Sequence, residues 1–119
     1  PMHVLDDSVF IPAPAQGIIA VECRSDDTVA REMLARLDSR DSRLEAGVER
    51  GIMKLMGAGC SSPVGIRAKV GNGSIHVEAV SYGFTDKPRR VSRDLPLDYV
   101  LDELLGIAEY LTGKRDEII

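Results

Sequence analysis

The segment VGIRAKVGNGSIHVEAVS, Val64 to Ser81, constrains the fold more than any other part of the chain. Val64, Ile66, Ala68 and Val70 alternate with small or basic residues, and Ile75, Val77 and Ala79 alternate with His76 and Glu78. That period of two predicts two strands with one apolar face each. Between them stands Gly71-Asn72-Gly73, whose residues accept the positive φ of a tight hairpin turn. KPRRVSRDL, Lys87 to Leu95, reads as a third and weaker strand. A small antiparallel sheet with one apolar face must be covered, so the flanking segments have to supply helices.

They do so on both sides. In SDDTVAREMLARLDSRD, Asp26, Asp27 and Thr28 form a helix start, and Val29, Met33, Leu34 and Leu37 follow at three- and four-residue spacing. In the next segment Ser42 and Glu45 have capping-box spacing, Leu44, Val48, Ile52, Leu55 and Met56 make an apolar stripe, and Gly57 supplies a stop. Gly47 and Gly51 weaken this helix or let another backbone approach closely. After the strands, PLDYVLDELLGIAEYLTG predicts a helix with Leu97, Val100, Leu101, Leu104, Leu105, Ala108 and Leu111 on one stripe, ending at Gly113. The order helix, three antiparallel strands, helix is an α+β layer. GIIAVEC, Gly17 to Cys23, reads as a strand buried on both faces, but no strand within reach can pair with it. The chain opens on PMHVLDDSVF and enters an apolar pattern without a capping turn or polar arm, which predicts that its front belongs to something longer.

The totals bound the function. With 119 residues the chain holds one modest core. Its net charge of −4 argues against a general nucleic-acid surface. No apolar run approaches the ~18 residues of a membrane span. Cys23 and Cys60 suggest no disulfide framework, and the absence of a leader pattern makes the cytoplasm the expected compartment.

Among residues able to carry chemistry, Cys60 lies in MGAGCSSPVG, where Gly57 and Gly59 free the backbone, Ser61 and Ser62 are small, and Pro63 stiffens the exit. Two readings stand: a structural thiol at a turn, or a reachable thiolate nucleophile toward an electrophilic carbon. Lys54, Arg67 and Lys69 are the nearest cations, either solvated flanks or groups that lower a thiol pKa and bind carboxylates. A metal site is disfavoured, because Cys23, Cys60, His3 and His76 lack close paired spacing. Gln16 and Gly17 open the apolar segment, where the amide either points into a cleft or is a satisfied polar group at a strand edge. Glu22 reads more readily as a salt-bridge partner than as an acid or base. Glu49 and Arg50 read as surface-pairing groups on the second helix, and His76 as facing solvent or a helix edge.

Two blocks carry a specific resemblance. PAPAQGIIAVECR resembles the P-A-x-G-Q-G-x-x-x-x-E-x-R stretch of the porphobilinogen deaminase (hydroxymethylbilane synthase) family, and ERGIMKLMGAGCSSPVG resembles its E-R-x₉-C-x-x-P-x-G stretch, in the same order and with similar spacing. The resemblance covers essentially the whole chain and places it at the carboxy-terminal part of that enzyme. It implies that residues 1–36 return to the first domain of a three-domain enzyme and that residues 37–119 are the third, cofactor-attachment domain. It implies that Cys60 carries a dipyrromethane cofactor through a thioether, the primer on which four porphobilinogen units are joined before water releases hydroxymethylbilane, and that Gln16 and Gly17 line the cofactor cleft. Ala15 and Ala58 stand where the family usually has glycine, each adding a methyl. The family's catalytic aspartate and most carboxylate-binding arginines match nothing here, so the chain alone is expected to be inactive and to act with the enzyme's amino-terminal domains. Two other readings remain: a binding module with the helix–sheet–helix order of double-stranded RNA-binding domains, which the acidic balance opposes, and a degenerate relative that keeps the fold without the chemistry.

Overall fold

The computed structural model describes residues 11–14, 19–57 and 63–117. Its elements run α1 (Thr28–Leu37), α2 (Arg40–Leu55), β1 (Val64–Gly71), β2 (Ser74–Ser81), β3 (Arg89–Pro96) and α3 (Leu101–Leu111), an α+β arrangement as the patterning predicts. The strands form one antiparallel sheet in the order β1-β2-β3.

The hairpin forms where Asn72 and Gly73 take φ values of 54° and 75°. Both central residues are left-handed, which matches the twist of the flanking strands. This turn sets the register: Ile66 opposes Ala79, Ala68 opposes Val77 and Val70 opposes Ile75. On the other side of β2, Ile75 meets Leu95 and Ala79 meets Val91. A one-residue slip would turn every one of these side chains to the opposite face. With this register they line the face that α2 and α3 cover, and Ile66, Ile75, Val77 and Ala79 are fully buried.

Helix α2 begins earlier than its capping pattern suggests. Ser39 is the N-cap, its Oγ accepting from the Ser42 N–H at 3.2 Å, so the Ser42/Glu45 pair lies inside the helix and Glu45 is free for another role. Val48, Ile52 and Met56 are buried against the sheet, with Leu44 and Leu55 half-buried beside them. Gly51 faces α3, where a Cβ would lie 3.0 Å from Leu104 Cδ1. The close approach anticipated at this glycine is therefore to a leucine side chain.

Helix α3 buries Leu104, Ala108 and Leu111 of the expected stripe and adds Ile107, while other members of that stripe stay outside the core. Leu104, Ile107, Ala108 and Leu111 form the i, i+3, i+4, i+7 set that meets the core. Leu97 and Val100 precede the helix, Leu101 is 64% exposed, and Leu105, one residue out of phase with Leu104, is 38% exposed. The carbonyls at the end of α3 are satisfied from the sheet. Ser81 Oγ donates to Leu111 O at 2.7 Å, and Arg89 Nη1 donates to Tyr110 O at 3.0 Å and Arg115 O at 2.7 Å while its guanidinium lies 4.7 Å from the Tyr110 ring centroid. A cation at a helix C-terminus is also favoured by the dipole.

The amino-terminal third behaves otherwise. Asp27 caps α1 by accepting from the Ala30 N–H at 3.0 Å, as its sequence predicts, yet α1 buries no residue. Val29, Met33 and Leu37 stand exposed on one stripe. The strand expected over Gly17–Cys23 is absent among the described residues 19–24, and Ile19 is 90% exposed. The reason is one of partners: a strand with two apolar faces is stable only between other strands and helices, and the three strands of this sheet pair with one another.

Replacing Ile107 by Ala is expected to lower stability by about 2–5 kcal/mol, because the methylenes removed leave a cavity in a closed core. Met33→Ala in α1 should change it by less than about 0.5 kcal/mol. Urea unfolding of the two variants, compared at equal slope, measures both.

Candidate functional site

Strand β1 is an edge strand, so the amides that point away from β2 need acceptors from elsewhere. They are filled in sequence. The Ile66 N–H donates to Pro12 O at 2.9 Å, the Ala68 N–H to Glu49 Oε2 at 3.0 Å, and the Val70 N–H to Glu45 Oε2 at 2.9 Å. The pitch explains the match. Residues four apart on a helix are separated by about 6 Å, and alternate amides of a strand by about 6.7 Å, so one helical turn of α2 keeps step with one repeat of β1. The direction agrees too, since Glu49, nearer the end of α2, meets the amide nearer the start of β1.

Glu49 is 6% exposed, which corrects its reading as a surface-pairing residue. A carboxylate so placed would be costly without donors, and an N–H to carboxylate bond is stronger than a neutral one. Arg50 stays on the exposed side of the helix. A signal for this was present in the sequence: Glu45 and Glu49 share the stripe of Val48, Ile52 and Met56, so they face the sheet rather than water.

Cys60, Gln16 and Gly17 lie outside the described residues, as do Ala15, Ala58, Ser61 and Ser62. Their flanks are described, and these meet. Helix α2 closes at Met56, and Gly57 follows at φ 65° with open space where a Cβ would be. On the far side, Pro63 O accepts from the Tyr82 N–H at 3.1 Å, which carries the ladder one step past Val64. At Gly65 a Cβ would lie 2.6 Å from the Ile11 carbonyl oxygen, so a glycine is required where residues 11–12 cross. Residue 12, four positions before Gln16, and residue 66, six after Cys60, are thus hydrogen-bonded to each other at the start of β1.

The nearby cations divide. Lys54 is exposed in the last turn of α2, while Arg67 and Lys69 lie on the sheet face opposite the helices. That face also holds a network not foreseen for His76. Its Nδ1 lies 2.8 Å from Asp94 Oδ1 and its Nε2 2.7 Å from Glu78 Oε1, and Ser92 Oγ donates to the same Glu78 oxygen at 2.8 Å. An imidazole with a carboxylate at each nitrogen can donate to both only as the cation. The hydrogen bond to Glu78, then that to Asp94, raises the His76 pKa above 6.5. Burial opposes ionisation of Glu78, but the hydrogen bonds from His76 and Ser92 outweigh it and hold the carboxyl below 4.5. The carboxylates sit on opposite nitrogens, and among the described residues no group of three His, Cys, Asp or Glu side chains could hold a metal ion.

Cys23 is an exposed free thiol, and Glu22 beside it is exposed. An open hollow of about 580 Å³ lies nearby, with Ile19, Val21, Leu34, Leu37 and Ala46 among its walls. It adjoins the uncovered apolar stripe of α1 and is separate from the start of β1. No helix among the described residues is long and apolar enough to cross a membrane.

Comparison with known proteins bears on the two motif blocks. The chain is 36% identical over 110 residues, 92% of its length, to the porphobilinogen deaminase of Corynebacterium diphtheriae. The chain is a relative of the porphobilinogen deaminases. Over 57% of its length it is 48% identical to the Mycobacterium leprae enzyme and 46% identical to that of Mycolicibacterium gilvum. It spans about a third of the first of these relatives and about a fifth of the other two, 36% and 22% of their lengths. No protein-family model matches the chain.

The sheet-face network gives a pH prediction with two limbs. His76 has a raised pKa, so its contribution to stability is complete below 6.5 and is lost as pH rises through the folded value. Glu78 has a lowered pKa, so its contribution is complete above 4.5 and is lost as pH falls through the folded value. His76→Gln should therefore cost most between these limits and little at alkaline pH. The cost should be a few tenths of a kcal/mol, about what a solvent-screened pair contributes. Urea midpoints across pH, with an NMR titration of His76, test it; an imidazole pKa at or under 6.5 would contradict the network.

Proposed function

We propose that this chain is the carboxy-terminal, cofactor-bearing portion of a hydroxymethylbilane synthase, in which Cys60 carries a dipyrromethane through a thioether. The observation that carries the reading is the ordered pair of motif blocks, supported by identity to porphobilinogen deaminases across 92% of the chain. The meeting of residues 11–12 with Gly65 and Ile66 adds support, because it draws the flanks of both blocks to one corner of the fold.

Gly57 takes a left-handed φ with nothing within 4 Å of its Cβ position, and Pro63 is exposed, so the peptide leaves α2 and enters β1 away from the packed core. A soft thiolate at Cys60 is the nucleophile suited to an electrophilic pyrrole methylene. When bound, the dipyrromethane supplies the primer to which four porphobilinogen units are joined. The chain's own part is to anchor and orient it: Cys60 holds it covalently, and Gln16 and Gly17 position it through the amide side chain and main chain. Acid–base chemistry and neutralisation of the growing polycarboxylate come from the amino-terminal domains, so this chain alone is inactive.

The same proposal divides the chain at residues 36–37. Among the described residues, the buried core is drawn from α2 with its C-cap Met56, the sheet and α3, whereas α1, which ends one residue past this division, presents Val29, Met33 and Leu37 to solvent. A stripe of this kind is the face of an amphipathic helix that has a partner elsewhere, and we assign that partner to the amino-terminal domains. The assembled enzyme acts in the cytoplasm on porphobilinogen, without nucleic acid or membrane.

Combining the chain with the amino-terminal portion of the enzyme and porphobilinogen should give tetrapyrrole, and mass spectrometry should find a pyrrole adduct on Cys60. Cys60→Ser should abolish both. Tetrapyrrole formation by the serine variant at the parent rate would sink the proposal and favour a chain that keeps the fold without the chemistry.

A further inference from the structure

We propose that the outer edge of β3 is an interface for a second copy of this chain, the two β3 strands pairing antiparallel about a two-fold axis at Ser92. The proposal is independent of the role assigned to Cys60.

The amides that face outward from β3 follow from those on β1. Ile66, Ala68 and Val70 turn their N–H groups away from β2, so Arg67 and Lys69 turn theirs toward it, opposite Glu78 and His76. Strand β2 therefore presents its Ile75 and Val77 amides to β3, where Leu95 and Arg93 oppose them. By the same alternation Arg90, Ser92 and Asp94 point outward. The row ends on both sides, because Pro88 and Pro96 have no N–H. On β1 the outward amides are seated on Pro12, Glu49 and Glu45, but among the described residues no acceptor is seated on the Ser92 or Asp94 N–H. An edge in this state is a template for another strand.

The side chains select the occupant. Arg90, Ser92 and Asp94 share the sheet face away from the helices. An antiparallel copy centred on Ser92 sets that serine opposite its own counterpart and Arg90 opposite Asp94 of the second copy, twice by symmetry. Sliding the copy by one strand repeat sets Arg90 against Pro96 and Asp94 against Ser92 in one direction, and Arg90 against Ser92 and Asp94 against Pro88 in the other. Opposite charges directly across antiparallel strands attract, so charge singles out the centred register. Asp94 can take this further partner: one of its oxygens meets His76 Nδ1, and its side chain is 70% exposed. Arg90 is exposed as well. On the helix side Arg93 lies across from Val91 of the copy, its aliphatic stem against the margin of the core. The axis closes the assembly at two chains. Because β1 is the opposite edge of the sheet, the corner where residues 11–12 meet Gly65 is left untouched.

Sedimentation equilibrium of the full chain, from about 10 µM to about 1 mM, should show a monomer–dimer equilibrium. Ser92→Pro removes an outward N–H and leaves the ladder between β2 and β3 in place, so it should weaken dimerisation about tenfold or more. Arg90→Asp or Asp94→Arg alone should weaken it by a similar factor, because each sets like charges opposite one another. An equimolar mixture of these two variants should dimerise to within about threefold of the parent, since each chain then offers the other only opposite charges. Met33→Glu, on the exposed stripe of α1, should leave the equilibrium within about twofold. A chain that stays monomeric throughout the range overturns the proposal, as does a mixture that associates no better than its components. Loss of the dimer in Met33→Glu while Ser92→Pro still dimerises would place the interface on α1 and overturn it equally. Should Ser92→Pro fail to fold, the two charge variants and their mixture read the same register.

Discussion

The row of outward-facing amides on β1 is the constraint around which the rest of this structure is arranged. An edge strand must either meet water, meet another strand or be covered, and here it is covered by carboxylates from the helix that precedes it. Near-commensurate pitches make this possible. Once Glu49 and Glu45 are seated, the direction and height of α2 against the sheet follow, Val48, Ile52 and Met56 are aimed into the core, and α3 packs against Gly51. The hydrophobic interior supplies the larger part of the stabilisation, but it is permissive about register, whereas a buried carboxylate accepts only positions that offer it a donor.

The two faces of the sheet show a related division. Toward the helices the residues are aliphatic and interchangeable in kind. Away from them, Ser92, Glu78, His76 and Asp94 form a chain of hydrogen bonds across β2 and β3. Cross-strand polar pairs of this sort hold register without a core. The hairpin turn at Asn72-Gly73 and this network thus specify the same pairing from two ends of the sheet.

The contrast between the ends of the chain follows from where apolar surface can go. Helix α2, the three strands and α3 close on themselves, with Arg89 and Ser81 fastening the last carbonyls of α3. Helix α1 and residues 19–21 carry apolar side chains of similar character and bury none of them. Residues 11–12 belong to both regimes: they are held at the start of β1 by one amide, next to a glycine that leaves room for the crossing.

Much of this could be read directly from residue pattern. Alternation over 64–70 and 75–79 with Gly71-Asn72-Gly73 between them is compatible with little but a hairpin, and Asp27 and Gly57 mark helix ends by chemistry that needs no neighbour. Motif order and spacing, likewise one-dimensional, pointed to the porphobilinogen deaminases. What escaped the sequence were decisions between alternatives of equal local merit. Ser39 and Ser42 are both plausible caps, and Leu105 and Ile107 both plausible core residues on α3. Glu49 has the same intrinsic preference for water as any glutamate. Local propensity and periodicity determined the elements and their order. Only the tertiary structure decided that Ile107 rather than Leu105 joins the core, that residues 19–23 have no partner strand here, and that Glu45 and Glu49 meet amides of β1, because each depends on which donors and apolar surfaces another segment brings within reach.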